Sequence, residues 1–120
     1  MNLMTVDLED YFCDLPFSSW SNYPSRVVQT TETILELLTK YNVTATFFTL
    51  GYIADKYPEL IEKIVSLGHE IASHSYSHFD LRKINKNILE ELLQGLLKGL
   101  LLFLFLSGNL NYYLEVALGF

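Results

Sequence analysis

Two short polar clusters carry the side-chain types that a catalytic metal site needs. One is Asp7-Leu8-Glu9-Asp10 and the other is His74-Ser75-Tyr76-Ser77-His78. Carboxylates and neutral imidazoles are ligands that divalent metals such as zinc accept, and three protein ligands leave a position open for water. Two histidines four residues apart can direct both rings at one ion. The clusters therefore predict a divalent metal, with zinc preferred over cobalt or nickel, held beside a carboxylate base.

The residue pattern predicts that strands and helices alternate around these clusters. Runs of β-branched and aromatic residues predict strands at 1–6, 44–50 and 69–73, and helical apolar spacing predicts helices at 27–41, 58–68 and 85–93. Ser25 is a candidate N-cap for the first helix, Pro58 suits the first turn of the second, and Gly68 suits its C-terminal cap. Gly51 is expected to end the second strand.

This alternation predicts an α/β fold with a parallel sheet, because parallel strands need crossover connections that are usually helical. In such folds, functional residues gather at the carboxyl ends of the strands. Asp7 follows the first predicted strand and His74 follows the third. The two clusters are therefore expected at the same rim of the sheet.

Composition and charge exclude several classes of protein. The chain has 120 residues, half of them hydrophobic, which suits one small domain. Its net charge is -6 and its few basic residues form no patch, so nucleic-acid binding is not expected. The single Cys13 allows no internal disulfide and is expected to be a small hydrophobic residue.

The ends of the chain are expected to carry neither a secretory signal nor a membrane span. The first residues lack a basic region and acidic residues begin at Asp7, which favours a cytoplasmic protein. Residues 100–106 are wholly apolar, but Lys98 and the Glu90-Glu91 pair interrupt any longer apolar run.

Three ordered motifs resemble the polysaccharide deacetylases with a NodB homology domain, which form carbohydrate esterase family four. The motifs are Thr5-Val6-Asp7-Leu8-Glu9-Asp10-Tyr11-Phe12, then Thr46-Phe47-Phe48 with Leu50-Gly51, then Gly68-His69-Glu70-Ile71-Ala72-Ser73-His74-Ser75-Tyr76-Ser77-His78. Trp20 and Tyr23-Pro24-Ser25-Arg26 resemble the branch of that family associated with bacterial exopolysaccharide loci. The resemblance covers about the first two-thirds of the chain.

The resemblance implies hydrolysis of N-acetyl groups from amino sugars of a polysaccharide, on the N-terminal portion of a deformed (β/α) barrel. Asp7 matches the general base that takes a proton from the attacking water, and His74 and His78 match two imidazole ligands. Glu9 and Asp10 both remain candidates for the carboxylate ligand. Glu9 is preferred, because two residues beyond Asp7 its side chain returns to the same face of an extended chain.

Other residues of these motifs have supporting roles. Tyr11 and Trp20 lie in the loop after the first strand and are candidates to line a sugar-binding groove. His69 is expected to be a structural histidine rather than a fourth ligand.

The sequence departs from the family after Arg82. No Arg follows Arg82 and no His follows His78, whereas the family carries a later Arg-x-Pro-like motif and a distal His. We therefore expect a deacetylase domain at 1–93, truncated after about three β/α units, and a Leu-rich tail at 94–120 that a frame disruption would explain. Weak or absent turnover is expected from this chain alone, and an exposed sheet edge or the apolar tail favours an oligomer.

Two other functions are compatible with the same residues. An allantoinase-like amidohydrolase of the same fold would share both polar clusters. Alternatively, the chain would be an inactive fragment or a non-catalytic module that binds a metal or a partner.

Overall fold

A parallel sheet with helical crossovers is the framework of the residues that the computed structural model describes, which are 3–78, 85–87, 90 and 94. The elements are β1 (Thr5–Leu8), a 3-10 helix (Phe17–Asn22), α1 (Val27–Lys40), β2 (Thr46–Thr49), α2 (Gly51–Lys56), α3 (Pro58–Ser66) and β3 (Glu70–Ser73). Within this part of the chain the strand order is β1-β2-β3, and both pairs are parallel. The predicted α/β architecture is confirmed.

The two faces of the sheet have different surroundings. Leu8 of β1 and Phe47 of β2 are buried, and they belong to one core with α1 and α3 residues such as Leu35 and Ile64. The opposite face carries three residues that pair side by side, namely Asp7, Phe48 and Ala72. Asp7 is exposed and its two neighbours are partly accessible. Asp7 therefore lies on the face of the sheet away from the helical core.

The two long crossover helices, α1 and α3, both end in a Schellman motif. After α3, Gly68 has a φ of 85°, its N–H donates to Val65 O at 2.9 Å, and the His69 N–H donates to Ile64 O at 3.3 Å. These two bonds define a Schellman motif, in which glycine adopts the left-handed conformation without a Cβ penalty. The predicted roles of Gly68 as the C-terminal cap and of Pro58 in the first turn are confirmed. The turn delivers the chain directly into β3.

The predicted bounds of the first strand are wrong. The strand was expected at 1–6. Residues 1 and 2 lie outside the described residues, 3 and 4 are not part of a strand, and β1 is Thr5–Leu8, so Asp7 lies inside the strand rather than after it. The cause is pairing, because β1 is defined by its register with the four residues of β2, from Thr5 beside Thr46 to Leu8 beside Thr49. Leu3 precedes this ladder and is 80% exposed.

The segment around Gly51 also differs from its prediction. The second strand is shorter than the expected 44–50, and Gly51 starts α2, a short helix that the apolar pattern did not indicate. Ser25 does not cap α1, whose N-cap residue is Arg26 without a side-chain capping bond of its own. The third strand begins one residue later than expected, at Glu70.

The predicted last helix lies mostly outside the described residues. Lys86, Asn87, Glu90 and Gln94 have helical backbone and are exposed. The rest of 94–120 lies outside the described residues, so the predicted tail and domain boundary stay predictions. In the described ranges, none of the helices has the length and apolar character needed to cross a bilayer.

His69 is a buried histidine at the amino end of β3. Its Nδ1 accepts the Ala45 N–H at 3.2 Å, and its ring centroid lies 5.5 Å from that of Phe47. Its Nε2 is buried and has no hydrogen-bond partner among the described residues. Burial lowers the pKa of His69. A protonated ring is further disfavoured, because Nδ1 would then be a donor facing the Ala45 donor.

We expect this histidine to make the fold sensitive to acid. The folded-state pKa lies below the unfolded value of about 6.5, so the unfolded chain binds the proton more readily. Stability is therefore full above about pH 6.5 and falls as the pH drops toward the folded-state pKa. Urea unfolding at a series of pH values should show a smaller acid loss for His69→Gln than for wild type. Equal losses in the two chains would contradict this account.

Candidate metal centre

Glu9, His74 and His78 converge at the carboxyl ends of β1 and β3. Glu9 Oε2 lies 3.8 Å from Nε2 of His74 and 3.5 Å from Nε2 of His78. One ligand atom from each of the three residues lies within 4.8 Å of the other two. The parallel sheet brings these distant residues together, as the strand pattern predicted.

The donor set fits a small divalent cation. Glu9 Oε2 and His74 Nε2 are both buried and have no hydrogen-bond partner among residues 3–78. Leaving such atoms unpaired is costly unless another group satisfies them. With metal–ligand bonds of about 2.1 Å, two ligands of a tetrahedral zinc lie about 3.4 Å apart. The two separations from Glu9 are close to that value, and three protein ligands leave one position open.

Asp10 is turned away from this cluster although it is adjacent to Glu9. Its carboxylate accepts the Arg26 N–H at 2.9 Å and a short hydrogen bond from the Ser25 hydroxyl. Only 4% of Asp10 is exposed. Asp10 therefore supplies the acceptor that the start of α1 needs, a role in which the sequence had placed Ser25. Of the two candidate carboxylates, the geometry groups only Glu9 with the histidines.

Asp7 is not one of the three grouped donors, but its position in β1 places it on the face of the sheet that leads to them. It stands two residues before Glu9, about 6.6 Å along an extended chain, and alternation directs both side chains to one face. The same alternation places His74 on the face of Ala72, which is level with Asp7 across the sheet. Asp7 is exposed.

The loop that carries both histidines is held by the start of α2. The Gly51 N–H donates to Ser75 O at 2.9 Å, and the Tyr52 N–H donates to Tyr76 O at 3.0 Å. These are donors that the first turn of a helix leaves free, so the loop and the helix satisfy each other. The backbone between the two histidines is thereby tied to α2.

Tyr76 packs directly against Gly51. A Cβ on Gly51 would lie 2.5 Å from Cδ2 of Tyr76 and 3.3 Å from its Cα, so only glycine permits this approach. The Tyr76 hydroxyl donates to Asp55 Oδ2 at 2.9 Å. Burial, reinforced by that bond, raises the pKa of Tyr76 to about 12, and the hydroxyl remains a donor at neutral pH.

The histidine loop also contains two residues with left-handed backbone. Ser75 has a φ of 64° and His78 has a φ of 56°. Such conformations are uncommon for residues with a Cβ and are held only where the surroundings determine them. The His78 N–H donates to Ser75 Oγ at 3.3 Å, and the His74 N–H extends the sheet by donating to Thr49 O at 3.0 Å.

The predicted sugar-binding role of Trp20 is wrong. Only 2% of Trp20 is exposed, its indole N–H donates to Leu15 O at 2.8 Å, and its ring packs against Phe12, Phe17 and Tyr52. A buried indole of this kind has no free face for a sugar. Tyr11 is 53% exposed, and the Arg26 guanidinium carbon lies 4.8 Å from its ring centroid. Tyr11 thus keeps an accessible aromatic surface.

Sequence reasoning missed the supports of the histidine loop. Gly51 was interpreted as the end of a strand, and Tyr76 as a loop residue near the metal ligands rather than a catalyst. Their contact depends on the approach of the histidine loop to the start of α2, two segments distant in sequence, which no local pattern encodes. The one sequence signal for this support was a run of helix-favouring residues at 52–56, directly after Gly51, which indicates α2.

Comparison with known proteins gives one consistent result. A family model described as "Polysaccharide deacetylase" matches residues 16–95. Over 57 residues the chain is 46% identical to a peptidoglycan-N-acetylglucosamine deacetylase of Bacillus cereus, which covers 48% of this chain and 21% of that protein. Over 65 residues it is 38% identical to a chitooligosaccharide deacetylase of Sinorhizobium fredii, and this match covers 50% of this chain and 30% of that protein. The matched part is thus less than a third of either relative.

A solved structure is similar over most of this chain. The peptidoglycan deacetylase PdaC of Bacillus subtilis superposes with a TM-score of 0.63 at 25% identity, covering 88% of this chain and 43% of that one. This likeness confirms the fold class that was expected from the sequence.

We expect Asp10→Ala to destabilise the fold. It would leave the Arg26 N–H and the Ser25 hydroxyl without their buried acceptor, at a cost of about 1–3 kcal/mol in the free energy of unfolding. Asp7→Ala, at an exposed position, is the matched control and should change that free energy by less than about 0.5 kcal/mol. Urea unfolding of both variants measures the difference. Equal free energies would show that Asp10 is not a structural acceptor.

We expect Gly51→Ala to displace Tyr76 and distort the histidine loop. The new methyl group would overlap the Tyr76 ring, so we expect a loss of about 1–3 kcal/mol of stability and weaker binding of a divalent metal. Gly68→Ala is the control, because there a Cβ meets no atom within 4 Å and the cost comes only from the positive φ. Urea unfolding and zinc titration of both variants distinguish them. If both lose stability but bind zinc equally well, Gly51 does not support the loop.

Proposed function

Because this chain belongs to the polysaccharide deacetylase family, we propose that it removes N-acetyl groups from amino sugars of a polysaccharide. The observation that supports this most is the convergence of Glu9, His74 and His78 at the carboxyl end of the sheet. The same face carries the exposed carboxylate of Asp7. The chain spans 21% and 30% of the two relatives described above, so the activity of the whole protein is part of the proposal.

We propose zinc as the metal, with cobalt or nickel as alternatives. One carboxylate and two imidazoles form a donor set that zinc accepts in catalytic sites with an open position. When bound, such an ion would make water a stronger acid and stabilise negative charge on the acetyl oxygen. Glu9 would also balance the charge of the cation, since it is the acidic member of the cluster.

Asp7 has the properties that a general base needs here. It is exposed, and it is separate from the three clustered residues, so its oxygens are free to accept a proton. Its side chain shares the face of Glu9, which would keep it within reach of the attacking water.

The proposed substrate is a polymer that contains N-acetylglucosamine. Both sequence relatives are named for deacetylation of such material, which favours this substrate class over the cyclic ureides of an allantoinase-like enzyme. Tyr11 is the proposed sugar-stacking residue, because its ring is exposed in the loop that also carries Glu9. Arg26 lies against that ring and would limit the approach to one side.

We expect one zinc ion per chain, bound through the cluster, and acetate release that depends on Asp7. Calorimetric titration with zinc should show binding that is lost in a His74→Ala, His78→Ala double variant and in Glu9→Ala. Acetate release from a chitooligosaccharide, which is expected to be weak from this chain alone, should fall by a further factor of about 100 or more in Asp7→Asn, with zinc affinity unchanged. His69→Gln is the control histidine variant and should bind zinc like wild type.

Different outcomes of these zinc-binding and activity assays would support the alternative functions. Zinc binding with equal acetate release from wild type and Asp7→Asn would support a non-catalytic metal-binding module. Activity on cyclic ureides but not on acetylated sugars would support the allantoinase-like enzyme. Absence of zinc binding would contradict the proposed metal centre.

A further inference from the structure

The short helix α2 contacts both loops that carry the candidate ligands. The ring centroid of Tyr52 lies 5.0 Å from that of Trp20 and 5.7 Å from that of Phe17, and both of these rings belong to the segment that follows Glu9. The N–H groups of Gly51 and Tyr52 donate to the histidine loop. The spacing between the two loops therefore depends on how firmly each of them is attached to α2.

Tyr76 attaches the histidine loop to α2 at both ends of its side chain. Its backbone carbonyl accepts the Tyr52 N–H at 3.0 Å, and its hydroxyl donates to Asp55 Oδ2 at 2.9 Å. Between these two hydrogen bonds, the ring lies against Gly51. Tyr76 is two residues from each candidate histidine ligand, so its position sets the path of the backbone between them.

Gly51 and Asp55 form a matched pair on α2. They are four residues apart, so they lie on the same face of the helix, one turn after the other. Gly51 leaves room for the Tyr76 ring, and Asp55 accepts the hydroxyl at the far end of that ring. Hydrogen bonds to a carboxylate are stronger than those between neutral groups. The face of α2 thus fits a tyrosine that lies along it.

The backbone of the histidine loop needs support from outside the loop. The left-handed residues Ser75 and His78 lie on either side of Tyr76, and such conformations persist only where the surroundings hold them. A bond that holds Tyr76 therefore opposes relaxation of both. Because Asp55 is exposed, water competes for its oxygens, and we expect the bond to change the population of the ordered loop about three- to tenfold.

We propose that Asp55 is a positioning residue that, through Tyr76, holds the histidine loop against α2. Asp55 is not one of the three grouped donors, so it acts on the candidate ligands only through the loop. The consequence for metal affinity rests on the proposed function, whereas the order of the loop is a property of the metal-free chain.

Zinc titration of the full chain by calorimetry tests the consequence for metal affinity. Asp55→Ala and Tyr76→Phe should each weaken zinc binding about three- to tenfold, because only the ordered loop presents both histidines. The double variant should bind no more weakly than either single variant, since both remove the same bond. Asp55→Asn keeps an acceptor oxygen and should restore part of the affinity. Glu62→Ala, which removes an exposed acid from α3, is the charge-matched control and should stay within about twofold of wild type.

Amide hydrogen exchange of the metal-free chain tests the order of the loop. The N–H groups of Gly51 and Tyr52, which donate to the loop, should exchange about three- to tenfold faster in Asp55→Ala and in Tyr76→Phe. The Glu70 N–H, which donates at the opposite end of the sheet, should exchange at the wild-type rate.

The outcomes separate the role of Asp55 from the proposed function. Faster exchange at the two α2 amides in a chain that binds no zinc would support the positioning role and contradict the metal centre. Unchanged exchange at those amides, or an equal increase at Glu70, would overturn the positioning role even if zinc binds tightly. A loss of zinc affinity in Asp55→Ala that Glu62→Ala matches and Tyr76→Phe lacks would also overturn it, because charge alone would then be the cause.

Discussion

The buried carboxylate of Asp10 is the constraint on which the arrangement of the first loop depends. It binds the Arg26 N–H and the Ser25 hydroxyl, and so joins the end of β1 to the start of α1. Because successive side chains of an extended segment point to opposite sides, this bond directs Glu9 toward the histidines. Two adjacent acids of similar chemistry thus have different tasks. Asp10 is hydrogen-bonded within the fold, whereas Glu9 Oε2 has no hydrogen-bond partner among the described residues.

The histidine loop is held by several contacts that keep the candidate ligands in place. Its backbone bonds to α2, its Tyr76 ring fills the space that Gly51 leaves, and two of its residues hold left-handed conformations. Each constraint costs conformational freedom or places a residue in a sparsely populated region. Burying Glu9 Oε2 and His74 Nε2 adds a further cost, because within the described part of the chain neither atom has a hydrogen-bond partner. Local conflicts of this kind, surrounded by a well-satisfied core, are typical of functional sites.

Local patterns were sufficient for the order of the elements and for the convergence of the site. Gly68 and Pro58 mark their helix ends through their own backbone preferences, and parallel pairing brings the ends of β1 and β3 to one rim. The errors concern residues whose role is set by distant partners. The first strand is limited by its neighbour, Trp20 is covered by aromatic residues from other segments, and the capping acceptor of α1 comes from Asp10. Short-range spacing contains no information on such partners.

The strand order has a mechanical consequence. In the order β1-β2-β3 the outer strands are separated by β2, at about 9.6 Å for two strand spacings, and they share no backbone ladder. Glu9 follows β1, whereas both histidines follow β3, so any cation held by all three would tie together strands that otherwise meet only through the middle one. Such an ion would hold the carboxyl ends of β1 and β3 together, and its release would loosen that rim of the sheet first.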